Sequence, residues 1–590
     1  MAEPSDAPRS SPALSRALAW VRANRVPLLF LLVLALMVPC RDLWAPDEPD
    51  FAQCVREMRE RGSWLLPYLN GQPYSEKPIL FYWLMKLSAI GCEKLTGGAG
   101  FDHGIAAWAL RLPSAAAAAG FLFAFRHWTA RFRDPGLAEP AVLVLAVVPI
   151  WVLQAQMIQI DMVFAALLAW SWCSWLAGYL LLRGQAPGPA PRDPVQASRR
   201  WFLGAYAALA LAFLAKGPLA LALSAPLGLA FLAWQRDLGA LGRARLGWGL
   251  ALGAAILLPW YLAACLRGGA GYAYQMVVHQ NFERALHAWD HIQPPWKYVE
   301  YLATDGFPWT LLVPALVLAL ARSGARRQAA VRFQILAVAV PFLLLSCSQS
   351  KQSKYLLMVY PFLALLLAGL LASPGPGTRT RRLGGLLAAG LGLPGLALAA
   401  VGWFGAGGPR LQGQVGPFLG PLRLLALVFL AGAGFLATRA SAGRGRVLAA
   451  GTAATLGLAF LVVGTWGFRR LDPLKSYWNW TAAVTPLIAG RQVYYWQTIR
   501  SGVMVHTDHL MPEIRSRQEL ERLLGPGERL VAMKNEWNAD AWGLDSQARN
   551  EFEVLLRMPV GSGEALLIRR RPVPAAPAPA PQGGIARSAP

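Results

Sequence analysis

The stretch that decides the fold is VPLLFLLVLALMVPC, Val26 to Cys40, followed at once by RDLWAPDEPD, Arg41 to Asp50. The run carries no charge, and Arg9, Arg16, Arg22 and Arg25 precede it. An apolar segment of nearly the roughly 20 residues that cross a hydrocarbon core reads as a membrane helix, and the arginines ahead of it mark its cytoplasmic end. No small-residue cleavage site follows, so the segment is an uncleaved first span and not a signal peptide. Residues 1–25 are then a cytoplasmic lead, and the loop after Cys40 lies outside.

Working outward, the same grammar repeats. Of the 590 residues 55% are hydrophobic, which places the chain in a bilayer. The net charge of +24 would suggest nucleic acid on a soluble chain, but here the arginines fall in short gaps between apolar runs, with no nucleic-acid-binding motif around them. Six such gaps are expected to be cytoplasmic: Arg126 to Arg133, Arg183 to Arg200, Arg236 to Arg245, Arg322 to Arg332, Arg379 to Arg382 and Arg439 to Arg446. Alternation then requires that Pro78 to Leu95 does not cross. It is read as an amphipathic helix on the membrane surface, within one outer loop 41–103.

Thirteen spans result, at 26–40, 105–125, 138–155, 162–182, 201–215, 218–234, 247–266, 308–321, 332–346, 355–372, 383–404, 419–437 and 447–466. An odd number puts both the loop 41–103 and everything after Phe468 outside, in the periplasm of an inner-membrane protein. Residues 26–467 form the membrane domain. In 468–571, short apolar runs (492–495, 502–505, 529–533, 552–556, 565–568) around a helical stretch near 513–524 suggest a small periplasmic α/β domain. The Pro/Ala-rich tail 572–590 is expected to be disordered. The six cysteines form no CxxC pair or zinc spacing, and only Cys54 and Cys92 stand where they could meet outside the membrane.

Ionisable residues collect on the outer face. Asp47 and Glu48 follow the first span, and Asp161 stands at the outer mouth of another. Each could be a helix cap, a role Glu48 suits best. Lys216, in Ala215-Lys216-Gly217-Pro218, is costly at membrane depth unless it meets an anion or water. Lys351 reads as a snorkelling anchor.

The order Asp47-Glu48, then Asn70-Gly71-Gln72-Pro73-Tyr74, then Glu76-Lys77-Pro78 and Tyr82-Trp83-Leu84, resembles the lipid A aminoarabinose transferases, relatives of the protein O-mannosyltransferases. The resemblance runs over about residues 26–470, strongest in the first loop. It implies the membrane-embedded fold called GT-C and a glycosyltransferase that draws on a polyprenyl-phosphate (undecaprenyl-phosphate) sugar. Asp47 matches the family's catalytic acid and Asp161 a second acidic position. Lys77 and Arg284 match cations that hold the carrier phosphate, and Lys354 and Tyr355 match a Lys/His-Tyr-Leu-Leu stretch lining the carrier pocket. Lys216 is a weaker candidate for the same phosphate. Glu76 and His279 match a pair implied to hold a divalent metal such as zinc. The chemistry fits: displacing a polyprenyl phosphate from an anomeric carbon needs a carboxylate at the acceptor and cations at the departing phosphate.

A transporter of similar span count would place its site near the midplane, often between internal repeats, and no repeat is present. A scaffold could share the layout without chemistry. No Asp-x-Asp nucleotide-sugar motif occurs, so the donor is expected to be lipid-linked. The acceptor is lipid A by resemblance, with a protein or another glycan as the alternative.

Overall fold

The computed structural model describes residues 12–189, 191–283, 291–373, 377–405, 415–440, 445–496, 501–507, 510–524, 528–533, 550–560 and 563–571. It divides into two units, Met1–Asp472 and Pro473–Pro590.

The first unit is helical, and all thirteen expected spans fall on helices. Eight of these are long and apolar enough to cross a membrane, or up to eleven spans if each of three bent pairs counts as one. The chain is a multi-span membrane protein. The remaining two of the thirteen differ for physical reasons. Leu219–Gln235 is apolar but only 17 residues long, and Pro194–Lys216 carries Arg199, Arg200 and Lys216, which lower its hydropathy. The bends were not foreseen. Pro135–Ala146 and Pro149–Ala155 meet at 69°, where Val148 is extended ahead of a proline that cannot donate a helical hydrogen bond.

Two helices form the centre: Ile160–Leu182 and Ser353–Ala372 are each 83% buried over their apolar windows, more than any other span. A helix apolar on every face belongs inside a bundle. Both begin on the side of the first loop, so Asp161 and the Lys354-Tyr355 pair stand at neighbouring helix starts.

The loop 41–103 folds on its own terms. Asp47–Glu60 is a helix, Tyr68–Leu69 and Gln72–Pro73 pair as a hairpin, and Leu80–Thr96 is a helix. Asn70 and Gly71 supply the positive φ that a two-residue hairpin demands (54° and 79°). The Glu57 carboxylate accepts both of their backbone N–H groups at 2.7 and 2.8 Å, which fastens the turn to the helix. Lys86 reaches back from the helix Leu80–Thr96 to the Met58 and Ser63 carbonyls, each at 2.8 Å.

The second unit holds a five-stranded sheet in the order Glu513–Ile514, Val493–Trp496, Arg529–Met533, Gly563–Arg570, Phe552–Val560. The first three strands are parallel and the last two antiparallel to their neighbours. The run 502–505 is a helix, Ser501–Thr507, and not a strand. Its four-residue apolar block cannot distinguish a buried helix turn from a strand. All six cysteines are free, Cys54 and Cys92 included.

Candidate active site

Asp47 and Glu48 open the helix Asp47–Glu60, but neither caps it, and their side chains part. Glu48 turns inward and is 1% exposed. Its carboxylate accepts from Arg41 at 2.6 and 2.9 Å, from Arg111 at 2.8 and 3.0 Å, and from the backbone N–H groups of Trp44 and Ile158, both at 2.9 Å. Arg111 further donates to the carbonyls of Val38, Arg41 and Asp42, at 3.1, 2.8 and 2.7 Å. Burial pushes the Glu48 carboxyl up, but the two guanidinium groups outweigh it and hold the group far below the ordinary carboxylate range. One anion thus ties together the end of the first span, the helix Ala107–Phe132 and the turn before Ile160–Leu182. The cap expected of Glu48 is replaced by this buried ionic knot.

Asp47 turns the other way, into a cavity of about 470 Å³. Asp47, Asp161, Lys77, Lys216, Lys354, Tyr355 and Glu76, all singled out in the sequence, line it together. Asp47 Oδ2 accepts from Lys354 Nζ at 2.8 Å and from Gln159 Nε2 at 3.0 Å. Lys354 Nζ also lies 3.9 Å from Asp161 Oδ2, and Asp161 Oδ1 pairs with Lys216. Lys216 Nζ sits 4.1 Å from the centroid of the Tyr355 ring, a cation–π contact. The partner expected of a lysine at this depth is therefore Asp161. Burial pushes the Asp47 carboxyl up, yet the Lys354 charge and the bonds from Lys354 and Gln159 win and leave it below its ordinary value. Asp47 is ionised at neutral pH.

Lys77 and Glu76 are adjacent on the cavity wall, with Nζ 4.0 Å from the Glu76 carboxylate. His279 lies on the π-helical segment Gln275–Glu283, whose Met276 and Gln280 line the cavity while His279 is not among the lining residues. Arg284 falls outside the described residues. Among the described residues no group of three or more His, Cys, Asp or Glu side chains could hold one metal ion. Two donors fall short of a protein zinc site, so Glu76 and His279 do not by themselves fit the metal.

Sequence reasoning missed Gln159, Arg41 and Arg111. Gln159 stood two residues from Asp161, where a buried amide beside an acid was a readable signal. Nothing in the sequence marks the two arginines as partners of Glu48. Lys351 is no anchor: it is 2% exposed and donates to the carbonyls of Gln293, at 3.1 Å, and Ser348.

No protein-family model matches the chain. It is 29% identical over 345 residues to the undecaprenyl phosphate-alpha-4-amino-4-deoxy-L-arabinose arabinosyl transferase of Shewanella sediminis, covering 58% of each chain. To the transferase of the same name from Pseudomonas aeruginosa it is 31% identical over 414 residues, 66% of each chain. The chain thus spans somewhat less than two thirds of the length of these curated relatives. Among solved structures it resembles ArnT from Cupriavidus metallidurans in the apo state, with a TM-score of 0.72 at 20% identity over 94% of this chain and 98% of that one. The same protein bound to undecaprenyl phosphate gives 0.70. The fold is that of the membrane-embedded glycosyltransferases of the GT-C type, with a polar cavity at the N-terminal ends of its two central helices. Within that class, the chain is a homologue of the undecaprenyl phosphate-aminoarabinose arabinosyltransferases.

Proposed function

We propose that this chain is a glycosyltransferase that moves a sugar, 4-amino-4-deoxy-arabinose or one like it, from undecaprenyl phosphate to lipid A on the periplasmic side of the inner membrane. The observation that carries the reading is the convergence of Asp47 and Asp161 with Lys77, Lys216 and Lys354 in one cavity. The names of the curated relatives and the undecaprenyl phosphate bound to ArnT support the donor.

The arrangement suits a displacement at the anomeric carbon. The bond from that carbon to the carrier phosphate breaks while a bond to an acceptor oxygen forms, and the departing phosphate takes the electron pair. Lys77, Lys216 and Lys354 stand ready to hold that charge, aided by the helix starts beside them. Lys354 cannot serve the phosphate and Asp47 equally well. As it turns toward the phosphate, Asp47 loses the partner that lowers its pKa and becomes the better acceptor of a hydrogen bond or proton.

Purified chain given the undecaprenyl-phosphate aminosugar and lipid A should yield lipid A heavier by one sugar in mass spectra. Sugar appearing on protein instead would overturn the acceptor, and no transfer to any acceptor would overturn the enzyme. Lys77→Ala should weaken carrier binding about tenfold to a hundredfold, since a charged hydrogen bond is worth about 1.5–3 kcal/mol. Arg284→Ala should do the same. Unchanged titrations with undecaprenyl phosphate would leave both as surface anchors.

The orientation follows from the basic gaps. The N-terminus is cytoplasmic, and the loop 41–103 and the second unit are periplasmic. Reporter fusions should be active in the periplasm at residue 590 and in the cytoplasm between Arg183 and Arg200. A cytoplasmic signal from residue 590 would refute the thirteen-span path.

A further inference from the structure

A second cavity lies away from the candidate active site. It is a groove of about 840 Å³ between the helices Pro135–Ala146, Leu419–Arg439 and Gly445–Leu461. Three features give it a direction. Its mouth is charged: among the described residues, Arg25, Glu139 and Arg446 are the ionisable groups that line it. Its walls are apolar and pared down, with Ala431, Ala450 and Ala454 exposed along it. And it has a length: on one helix the lining runs from Arg446 to Leu458, twelve residues at 1.5 Å each, or about 18 Å.

That length is close to half of a hydrocarbon core about 30 Å thick, the reach of an acyl chain in a single leaflet. The groups that line the mouth are two cations and one anion; Asp134, outside the lining, stands with Arg446 around Gly136 and keeps its carboxylate on the Gly136 N–H at 2.7 Å. Arg25 is paired with Glu139, but both are well exposed, 63% and 43% in their side chains. An exposed pair is worth little, so Arg25 can turn to a phosphate at small cost. Arg446 is exposed and makes no ion pair among the described residues. A guanidinium recognises a phosphate through its planar fork of donors.

We propose that this groove is a binding site for one anionic phospholipid, its phosphate on Arg446 and Arg25 and one acyl chain laid along Ala450, Ala454 and Leu458. A zwitterionic choline lipid offers the same phosphate but brings a cation up to two arginines, so the site discriminates by head group. The site lies outside the candidate catalytic machinery and stands whether or not the transfer reaction does.

The test uses the full chain, purified and incubated with micelles of phosphatidylglycerol or phosphatidylcholine of identical acyl chains, with bound lipids counted by native mass spectrometry. The parent should retain one phosphatidylglycerol at least about tenfold better than phosphatidylcholine. Arg446→Gln should remove the preference. Ala454→Phe, which fills the groove from an exposed position, should abolish retention of both lipids while the lipid-free melting temperature stays put. If Ala454→Phe fails to fold, Arg446→Gln decides alone. Equal retention of the two lipids by the parent, or unchanged phosphatidylglycerol retention in Arg446→Gln, overturns the proposal. A disulfide-linked dimer through Ala454→Cys also overturns it, by giving the groove to a second copy of the chain.

Discussion

Asp47→Asn is expected to leave the fold and carrier binding intact and to lower turnover by about 10² to 10⁴, the range for losing a positioned acid–base group. The substitution is nearly isosteric, so the Gln159 and Lys354 contacts lose charge more than shape. A residue acting only as a helix cap would tolerate it, since Asn and Asp cap about equally well, and Asp47 does not cap its helix. The size of the loss is informative. A hydroxyl acceptor must give up a proton, so the loss should be large and the rate pH-dependent. An ionised lipid A phosphate is already a nucleophile, so the loss should be smaller and flat with pH. Transfer by Asp47→Asn at the parent rate, measured on purified protein with the lipid donor, would move the catalytic role to Asp161 or dissolve it.

The second large effect concerns stability. Glu48→Ala should destabilise the membrane domain by about 3–5 kcal/mol, because it leaves Arg41 and Arg111 buried without their anion. Arg111 is fully buried and Arg41 5% exposed, so water cannot take the carboxylate's place cheaply. Arg111→Leu should cost less, since Glu48 keeps Arg41 and two backbone donors. The pair changed together should cost clearly less than the sum of the two, the mark of residues that share one network. Thermal unfolding in detergent would read all three. A Glu48→Ala melting curve that overlays the parent's would mean that the knot carries no stability.

Asp47 and Glu48 also mark the boundary of what the amino-acid sequence makes legible. The spans were legible because apolar length and flanking arginines are local properties of a chain in a bilayer. One residue of the cavity was legible for a related reason. A charge such as Lys216 at membrane depth is costly, so it stands out in the sequence by itself, whereas Asp47, Asp161, Glu76, Lys77, Lys354 and Tyr355 were legible through the family resemblance. The Glu48 knot was not legible, because its partners lie 7, 63 and 110 positions away and nothing in their spacing marks them as neighbours. The bend at Val148 was missed because hydropathy measures how apolar a segment is and not whether its backbone is continuous. Lys351 was misread because the same residue serves as an anchor or as a buried clamp on carbonyls, depending on a fold that sequence position alone does not give. Arg284 and His279 rest on family resemblance.

The closed ion pairs of the cavity bear on inhibitor design. Lys354 and Lys216 already have Asp47 and Asp161 as internal rivals for any anion that enters. A simple polyanion must pull the lysines away and leaves the carboxylates bare, so it competes at a disadvantage. A compact molecule that presents an anion to the lysines and a cation to the carboxylates satisfies all four groups at once. Selective blockers of this site should therefore be zwitterions, and a series that varies only the negative charge should gain little.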